Sequence, residues 1–269
     1  MTNKLKLMCV LAHPDDESLG NGGILAKYVA EGVETYLVTA TRGERGWFGD
    51  ESENPGLEAL GKIREEELLA AARVLGIRRV DFLDYIDGDL DQANPAEVIA
   101  KIAGHVRRVK PDVVITFGPD GAYGHPDHIA ICQFTTAAIV EAANPSSLYH
   151  RELAPHPVSK LYYMAPTQQL GVAYQAVFGD VVMHVDGVER RGMGWPEWAI
   201  TTRINTKDYR QTVWKAILRH QSQLVAYRQL EHASQEYQKE LWDTQTYYRA
   251  FSLVNGGRRL EADLFEGLR

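Results

Sequence analysis

The sequence predicts an α/β protein: a Rossmann-like, doubly wound, mostly parallel sheet with helices on both faces. Two observations carry this. Short apolar runs alternate with amphipathic stretches through residues 1–144, and glycine or proline closes each stretch at the spacing of βα units.

The first run, Leu5–Ala12 (LKLMCVLA), reads as a core strand, and helical spacing follows from Leu19 to Ala30 with Gly32 closing it. Val33–Thr41 reads as the second strand, and Ile63–Leu75 as an amphipathic helix ending at Gly76. Val80–Leu83 is the third strand, Pro95–Val109 the third helix, Val113–Phe117 the fourth strand and Ile129–Ala143 the fourth helix. Four such units in series give parallel strands with helices on both sides.

Beyond Asn144 the alternation weakens. Pro145, Pro155, Pro157 and Pro166 punctuate a loop-rich stretch expected to shape a substrate mouth or a partner surface, with strand candidates at Lys160–Met164 and Val181–Val185. Helical patterns return at Lys207–Leu230 and Gln235–Phe251, and Asn255-Gly256-Gly257 turns into the tail. No linker divides the chain, so residues 1–269 read as one domain: a βα core over 1–144 and an extension over 145–269 that completes it.

Hydrophobic residues at 45% and charged residues at 24% describe an ordinary folded protein, not a disordered one. The net charge of −7 and the lack of a basic stripe interleaved with aromatics argue against nucleic acid or an anionic membrane as partner and favour a small substrate. A homo-oligomer stays open. Cys9 and Cys132 each lie in an apolar run, where burial is expected and a disulfide is not. No apolar run approaches the ~18 residues of a membrane span, and the apolar start lacks a cleavage site, so the expected location is cytoplasmic.

The chemistry sits where two strands end. His13-Pro14-Asp15-Asp16-Glu17 follows the first strand, and Tyr123-Gly124-His125-Pro126-Asp127-His128 follows the fourth. With strand order 3-2-1-4 these are neighbours, and the crevice between their carboxyl ends is the switch point where ligands bind. Together the clusters offer three histidines and several carboxylates, enough for a two-His, one-carboxylate metal centre with an open position. The plain alternative is two ordinary helix starts, proline at the first position and acids at the positive end of the dipole. That alternative leaves packed imidazoles and like-charged carboxylates desolvated with nothing to organise them, which a cation would do.

The motifs AHPDDE (12–17) and GHPDH (124–128) resemble those of the PIG-L/LmbE family of zinc-dependent N-deacetylases. TRGERG (41–46), IREEE from Ile63, Asp87-Gly88, the run from Lys215 to Gln223 and the DLFEGL tail add supporting similarity, and residues 145–200 match least. The resemblance implies that His13, Asp16 and His128 bind zinc, with another divalent ion such as iron open, while Asp15 is the general base. It implies removal of an acetyl group from an N-acetylglucosamine-type sugar, with a sugar-linked conjugate amide as the alternative substrate. Asp15 would deprotonate the attacking water, and His125 with the Tyr123 hydroxyl would hold the oxyanion. Asp15 and His125 both stay open as the proton donor to the leaving amine. Asp127 would orient a histidine ring or cap the following helix. By resemblance Arg64 and Asp87 would grip sugar hydroxyls; read without it, they are a solvated helix face and a turn.

Trp47, Phe48, Trp195 and Trp198 lie in glycine- and proline-containing stretches and could stack on a sugar or close a lid, and the long connection Gly43–Gly61 suggests such a lid. His220 is expected on a helix, as a satisfied core histidine or one that orients a neighbour. The main rival from another class is a non-haem iron oxygenase using His13, Asp15 and His128 as an HxD…H triad, which requires a strand-dominated β-helix fold. A dinucleotide site at Gly20–Gly23 is disfavoured because those glycines come after the turn that would cradle phosphate.

Overall fold

The computed structural model describes residues 4–269 except 180, 181, 186, 193, 232 and 258, so Val181 of the expected strand lies outside the described residues. Strand β1 (Lys6–Leu11) is central, pairing in parallel with β2 (Glu34–Thr41) on one side and β4 (Val113–Thr116) on the other. Beyond β2 lies β3 (Arg79–Tyr85), and beyond β4 lies β5 (Lys160–Met164), both parallel to their neighbours. Strand β9 (Thr244–Ser252) then pairs antiparallel with β5, and β8 (Thr202–Asn205) antiparallel with β9. The sheet is seven-stranded in the order β3-β2-β1-β4-β5-β9-β8.

That order sets where the helices lie. The chain steps from β1 to β3 in one direction through α1 (Asp16–Ala30) and α2 (Leu57–Leu75). It then returns past β1 through α3 (Pro95–Val109) and goes on through the single turn α4 (Gly121–Gly124) and α5 (Pro126–Ala143). Right-handed crossovers therefore place α1 and α2 on one face and α3 and α5 on the other. The packing agrees: α1 and α2 contact each other and α7 (Arg210–Ile217), while α3 lies on α5. Leu7 to Ala12 are wholly buried between these layers, as expected for a strand apolar on both faces.

The strand-dominated fold of the oxygenase rival is overturned by this topology. Other departures are local. Helix α1 begins at Asp16 and α2 at Leu57, each earlier than its apolar spacing suggests, because acidic and small residues fill the first turns. The expected lid is therefore shorter, and Gly61 belongs to α2, where its Cα faces the Glu44 side chain. Within the loop-rich stretch stand α6 (Gln168–Phe178), capped by Thr167 accepting from the Leu170 amide, and a hairpin of β6 (Val182–Val185) with β7 (Val188–Arg191). The expected helix Lys207–Leu230 is broken: α7 ends at Ile217 and α8 (Leu224–Glu231) starts after a 3-10 turn at Gln221–Gln223. Polar residues in the break are drawn to tertiary partners, since the Ser222 amide and hydroxyl both donate to Glu67 at 2.7 Å. The expected helix Gln235–Phe251 ends as α9 (Gln235–Trp242), and its second half is β9. There the run TQTYYRAFS, rich in β-branched and aromatic side chains, is paired on both sides, with β5 and β8.

Candidate metal centre and active site

The carboxyl ends of the first four strands converge on one cavity of about 1010 Å³, lined among others by His13, Asp15, Asp16, Asp87, His125 and His128. His13 leaves the end of β1, Asp87 follows β3, and His125 and His128 sit at the start of α5 after β4. This is the switch point between β1 and β4.

His13 Nε2 lies 3.1 Å from Asp127 Oδ2 and 3.1 Å from Asp87 Oδ1, so that nitrogen carries the ring proton and donates it. The opposite nitrogen, Nδ1, is then the one left for a further proton or a metal ion. It faces His128 Nε2 at 3.2 Å. His128 Nδ1 in turn donates to the Gly121 carbonyl at 3.2 Å, so its Nε2 is a bare lone pair. Phe117 stacks on the His128 ring with centroids 3.8 Å apart and holds it in place. Two such nitrogens at this distance need a cation between them, which is a proton on His13 Nδ1 in the metal-free protein or a metal ion that displaces it.

Asp16 supplies the third donor. Its Oδ2 accepts from the amides of Ala12 and His13 at 3.1 and 2.8 Å and lies 3.9 Å from His13 Nδ1, while its Oδ1 is 3.7 Å from His128 Nε2. Donors at ~2.0–2.1 Å from a tetrahedral ion stand roughly 3.4 Å apart; each Asp16 oxygen faces a different histidine nitrogen from somewhat farther off, so joining the two histidines on one ion requires the carboxylate to turn toward them. Ring nitrogens of His13, His125 and His128 lie within 4.8 Å of one another, and so do donor atoms of His13, Asp87 and Asp127, whereas Asp16 belongs to neither grouping. The latter grouping is accounted for by the hydrogen bonds on His13 Nε2.

The electrostatics reflect the same crowding. Burial pulls His13 down, yet its hydrogen bonds to Asp127 and Asp87 outweigh that and raise it well above the usual histidine range. Burial pushes Asp16 up to about 7, and burial with the nearby His13 charge pulls His128 far down. His125 falls to about 4, first through burial and then through His13. Its Nδ1 accepts from the Asp127 amide at 3.1 Å, which caps α5 and leaves the proton on Nε2. The imidazole of His125, not the Asp127 carboxylate, thus caps the helix. Asp127 is fully buried and accepts also from the amides of Gly88 and Leu90, at 2.7 and 3.1 Å.

Asp15 occupies the turn between strand and helix with φ 104°, a left-handed conformation that costs a non-glycine residue energy and that clusters at functional sites. Its Oδ2 accepts from Arg64 Nη2 at 3.0 Å and from the Tyr227 hydroxyl at 2.7 Å, whereas Oδ1 has no hydrogen bond among the described residues. Arg64 and Asp87 both line the cavity, and both also have partners within the protein. Arg64 is buried, donating to the carbonyls of Gly43 and Pro14 as well as to Asp15, and Asp87 is engaged with His13 and the Arg45 amide. Tyr123 lies edge-on to His128 with centroids 5.4 Å apart and lines the cavity. Of the four loop aromatics only Phe48 lines it, while Trp195 packs on Tyr248 and Trp198 is 87% exposed.

Sequence reasoning missed Tyr227, Phe117 and Glu44, whose carboxylate accepts from the Asp87 amide at 3.1 Å. Phe117 ends the fourth strand and could have been found from that position. Tyr227 carries no spacing signal, since only the tertiary fold brings α8 to Asp15.

Fold and site together define an α/β enzyme with a His/Asp cluster able to hold a metal at a switch-point cleft. Residues 8–139 match the family described as PIG-L, GlcNAc-PI de-N-acetylase. The mycothiol S-conjugate amidase of Streptomyces coelicolor is 32% identical over an alignment covering 100% of this chain and 99% of that protein. The 1D-myo-inositol 2-acetamido-2-deoxy-alpha-D-glucopyranoside deacetylase of Streptomyces avermitilis is 33% identical, covering 98% and 97%. A conserved protein of Thermus thermophilus superposes with a TM-score of 0.66 at 25% identity, over 94% of this chain and 97% of that one. The chain belongs to the PIG-L family, and these relatives with named activities are hydrolases of amides. Among the described residues no helix is long and apolar enough to cross a membrane.

Proposed function

We propose that this protein is a zinc-dependent hydrolase that removes an acetyl group from an N-acetylglucosamine-type sugar or glycoconjugate. The observation that carries the reading is the 3.2 Å approach of His13 Nδ1 to His128 Nε2, two nitrogens that share one cation, a proton or a metal ion, with the Asp16 carboxylate nearby. His13, Asp16 and His128 would hold the ion. When bound, a zinc ion supplies Lewis-acid polarisation of the amide carbonyl and lowers the pKa of water.

The remaining steps belong to side chains. Asp15 Oδ1 takes the proton of the attacking water, its other oxygen being pinned by Arg64 and Tyr227. His125, neutral at pH 7, offers Nε2–H to the developing oxyanion, and the Tyr123 hydroxyl offers a second donor. Asp15, which holds the proton taken from water, then returns it to the departing amine. Asp127 and Asp87 keep a His13 proton on Nε2, Arg64 holds Asp15, and Arg64 and Asp87, both on the cavity wall, grip sugar hydroxyls. The buried free thiols Cys9 and Cys132 support a reducing, cytoplasmic setting, and β5, β9 and β8 support reading residues 145–269 as part of the same domain.

A second reading is an amidase acting on a sugar-linked conjugate amide with the same centre. It is favoured by the cavity of about 1010 Å³, roomier than one monosaccharide needs, and by the amidase relative. One experiment separates the two: amine release from a panel of N-acetylated sugars and of conjugate amides, with and without chelator. The reading expects chelator-sensitive release from an N-acetylated sugar. Release from conjugate amides alone replaces it by the second, and release that survives metal removal overturns both.

A further inference from the structure

Residues 220–227, from the break after α7 into the first turn of α8, reach the catalytic turn after β1 by two routes. The first is direct, from the Tyr227 hydroxyl to Asp15 Oδ2 at 2.7 Å. The second passes through a buried ion pair. His220 Nε2 meets Glu17 Oε1 at 2.8 Å with both side chains 0% exposed, and Glu17 Oε2 accepts the Asp15 backbone amide at 3.0 Å. Ser18 completes the cluster by donating to Glu17 at 2.5 Å. His220 Nδ1 is buried with no hydrogen-bond partner among the described residues. A buried polar atom left unpartnered is a cost that packing alone does not explain.

Asp15 needs such support. A β-carbon-bearing residue at φ 104° relaxes toward ordinary backbone unless its surroundings over-determine it. The amide bond to Glu17 holds the backbone of that turn, and Tyr227 with Arg64 holds one carboxylate oxygen, leaving the other for the cavity. The segment that delivers both groups is itself fastened, by Ser222 to Glu67 and by Gln223 Nε2 to the Gly46 carbonyl at 2.7 Å.

We infer that Tyr227 and the His220–Glu17 pair are positioning residues for Asp15, so that the C-terminal extension builds the catalytic base as well as walling the cavity. The inference rests on the proposed role of Asp15. Tyr227→Phe and His220→Ala should each lower kcat by roughly ten- to a hundredfold, the range seen when the partner that orients a site group is removed. KM should stay within about twofold and the bound divalent ion should stay stoichiometric. His220→Gln, which can still donate to Glu17, should recover part of the loss. Amide hydrogen exchange in a peptide covering residues 12–19 should quicken in His220→Ala, a readout that needs no substrate.

Unchanged kcat in both alanine and phenylalanine variants overturns the inference, as does a loss of kcat that follows loss of metal. If the wild-type protein releases no amine from any sugar or conjugate, the functional reading falls. The exchange measurement then decides the inference alone: faster exchange sustains it and unchanged exchange overturns it.

Discussion

At His13 the position of one ring proton decides what the site can bind. Asp127 and Asp87 hold that proton on Nε2, so Nδ1 is committed to an electrophile. Replacing His13 or His128 by Ala should abolish stoichiometric metal binding, read by elemental analysis of the purified variants. Asp15→Ala should keep the metal and lose nearly all turnover; loss of metal with it would mean that ligand and base have been exchanged. His125→Ala should keep the metal and slow kcat by about 10²–10³, the usual effect of removing one oxyanion donor. A pH effect follows from the same geometry. Without metal, His13 holds its extra proton above the usual histidine range and must release it to bind an ion. Ion uptake near pH 7 should therefore release a proton, and affinity should rise with pH through neutrality, measurable by calorimetry in buffers of different ionisation enthalpy. The histidines and aspartates of both motifs were legible because each follows directly on an apolar strand. The protein partners of Arg64 and Asp87, Asp15 and His13, were not, because a residue type says what it can bond and not which of several nearby partners it meets.

At the scale of elements, the readable parts were those whose apolar period matched a single environment. The strands β1, β2 and β4 and the helix α3, with Asn94 capping and Pro95 in its first turn, emerge close to their expected bounds. The helix α6 and the strand β9 did not, since one begins just after Pro166 and the other runs on from a helix without punctuation. Packing likewise overrides local preference at Gly23 in α1. Alanine there gains about 1 kcal/mol of helix propensity. Its Cβ, however, would stand 2.7 Å from Thr206 Cβ, in a position wedged between α1 and the 3-10 turn that precedes α7. Overpacking of this kind costs roughly 1–3 kcal/mol, so the clash outweighs the propensity. Gly23→Ala should lower the thermal midpoint, whereas Gly32→Ala, with nothing within 4 Å but a φ of +85°, should lower it through backbone strain alone. An unchanged or higher midpoint for Gly23→Ala would show that Thr206 gives way.

Over the whole molecule, what ties the antiparallel end of the sheet and the tail to the parallel core is one buried carboxylate. Glu261, 1% exposed, receives Lys160 Nζ at 2.7 Å, the Tyr162 hydroxyl at 2.7 Å, Thr202 Oγ1 at 2.9 Å and Asn255 Nδ2 at 2.6 Å, with Arg249 at 2.8 Å. These partners come from β5, β8, β9 and the turn after β9. Lys160 stands at the amino end of β5, whereas the metal cluster stands at the carboxyl ends of the strands, so the two can fail separately. Burial raises the Glu261 carboxyl, but hydrogen bonds led by Lys160 outweigh it and bring it down to about 2. A carboxylate depressed on folding contributes stability that is fully present above its unfolded value near 4.5 and is lost as pH falls toward 2. Glu261→Gln leaves Lys160 buried without its counter-charge and should cost about 3–5 kcal/mol at pH 7, as breaking buried pairs does. The gap between wild type and variant in denaturant midpoint should then narrow as pH falls from 4.5 toward 2, because the wild type loses there what the variant never had. Metal content of the folded variant should match wild type. A gap that stays constant with pH would mean that the carboxylate charge does not hold the two parts of the sheet together, and that neutral hydrogen bonds do.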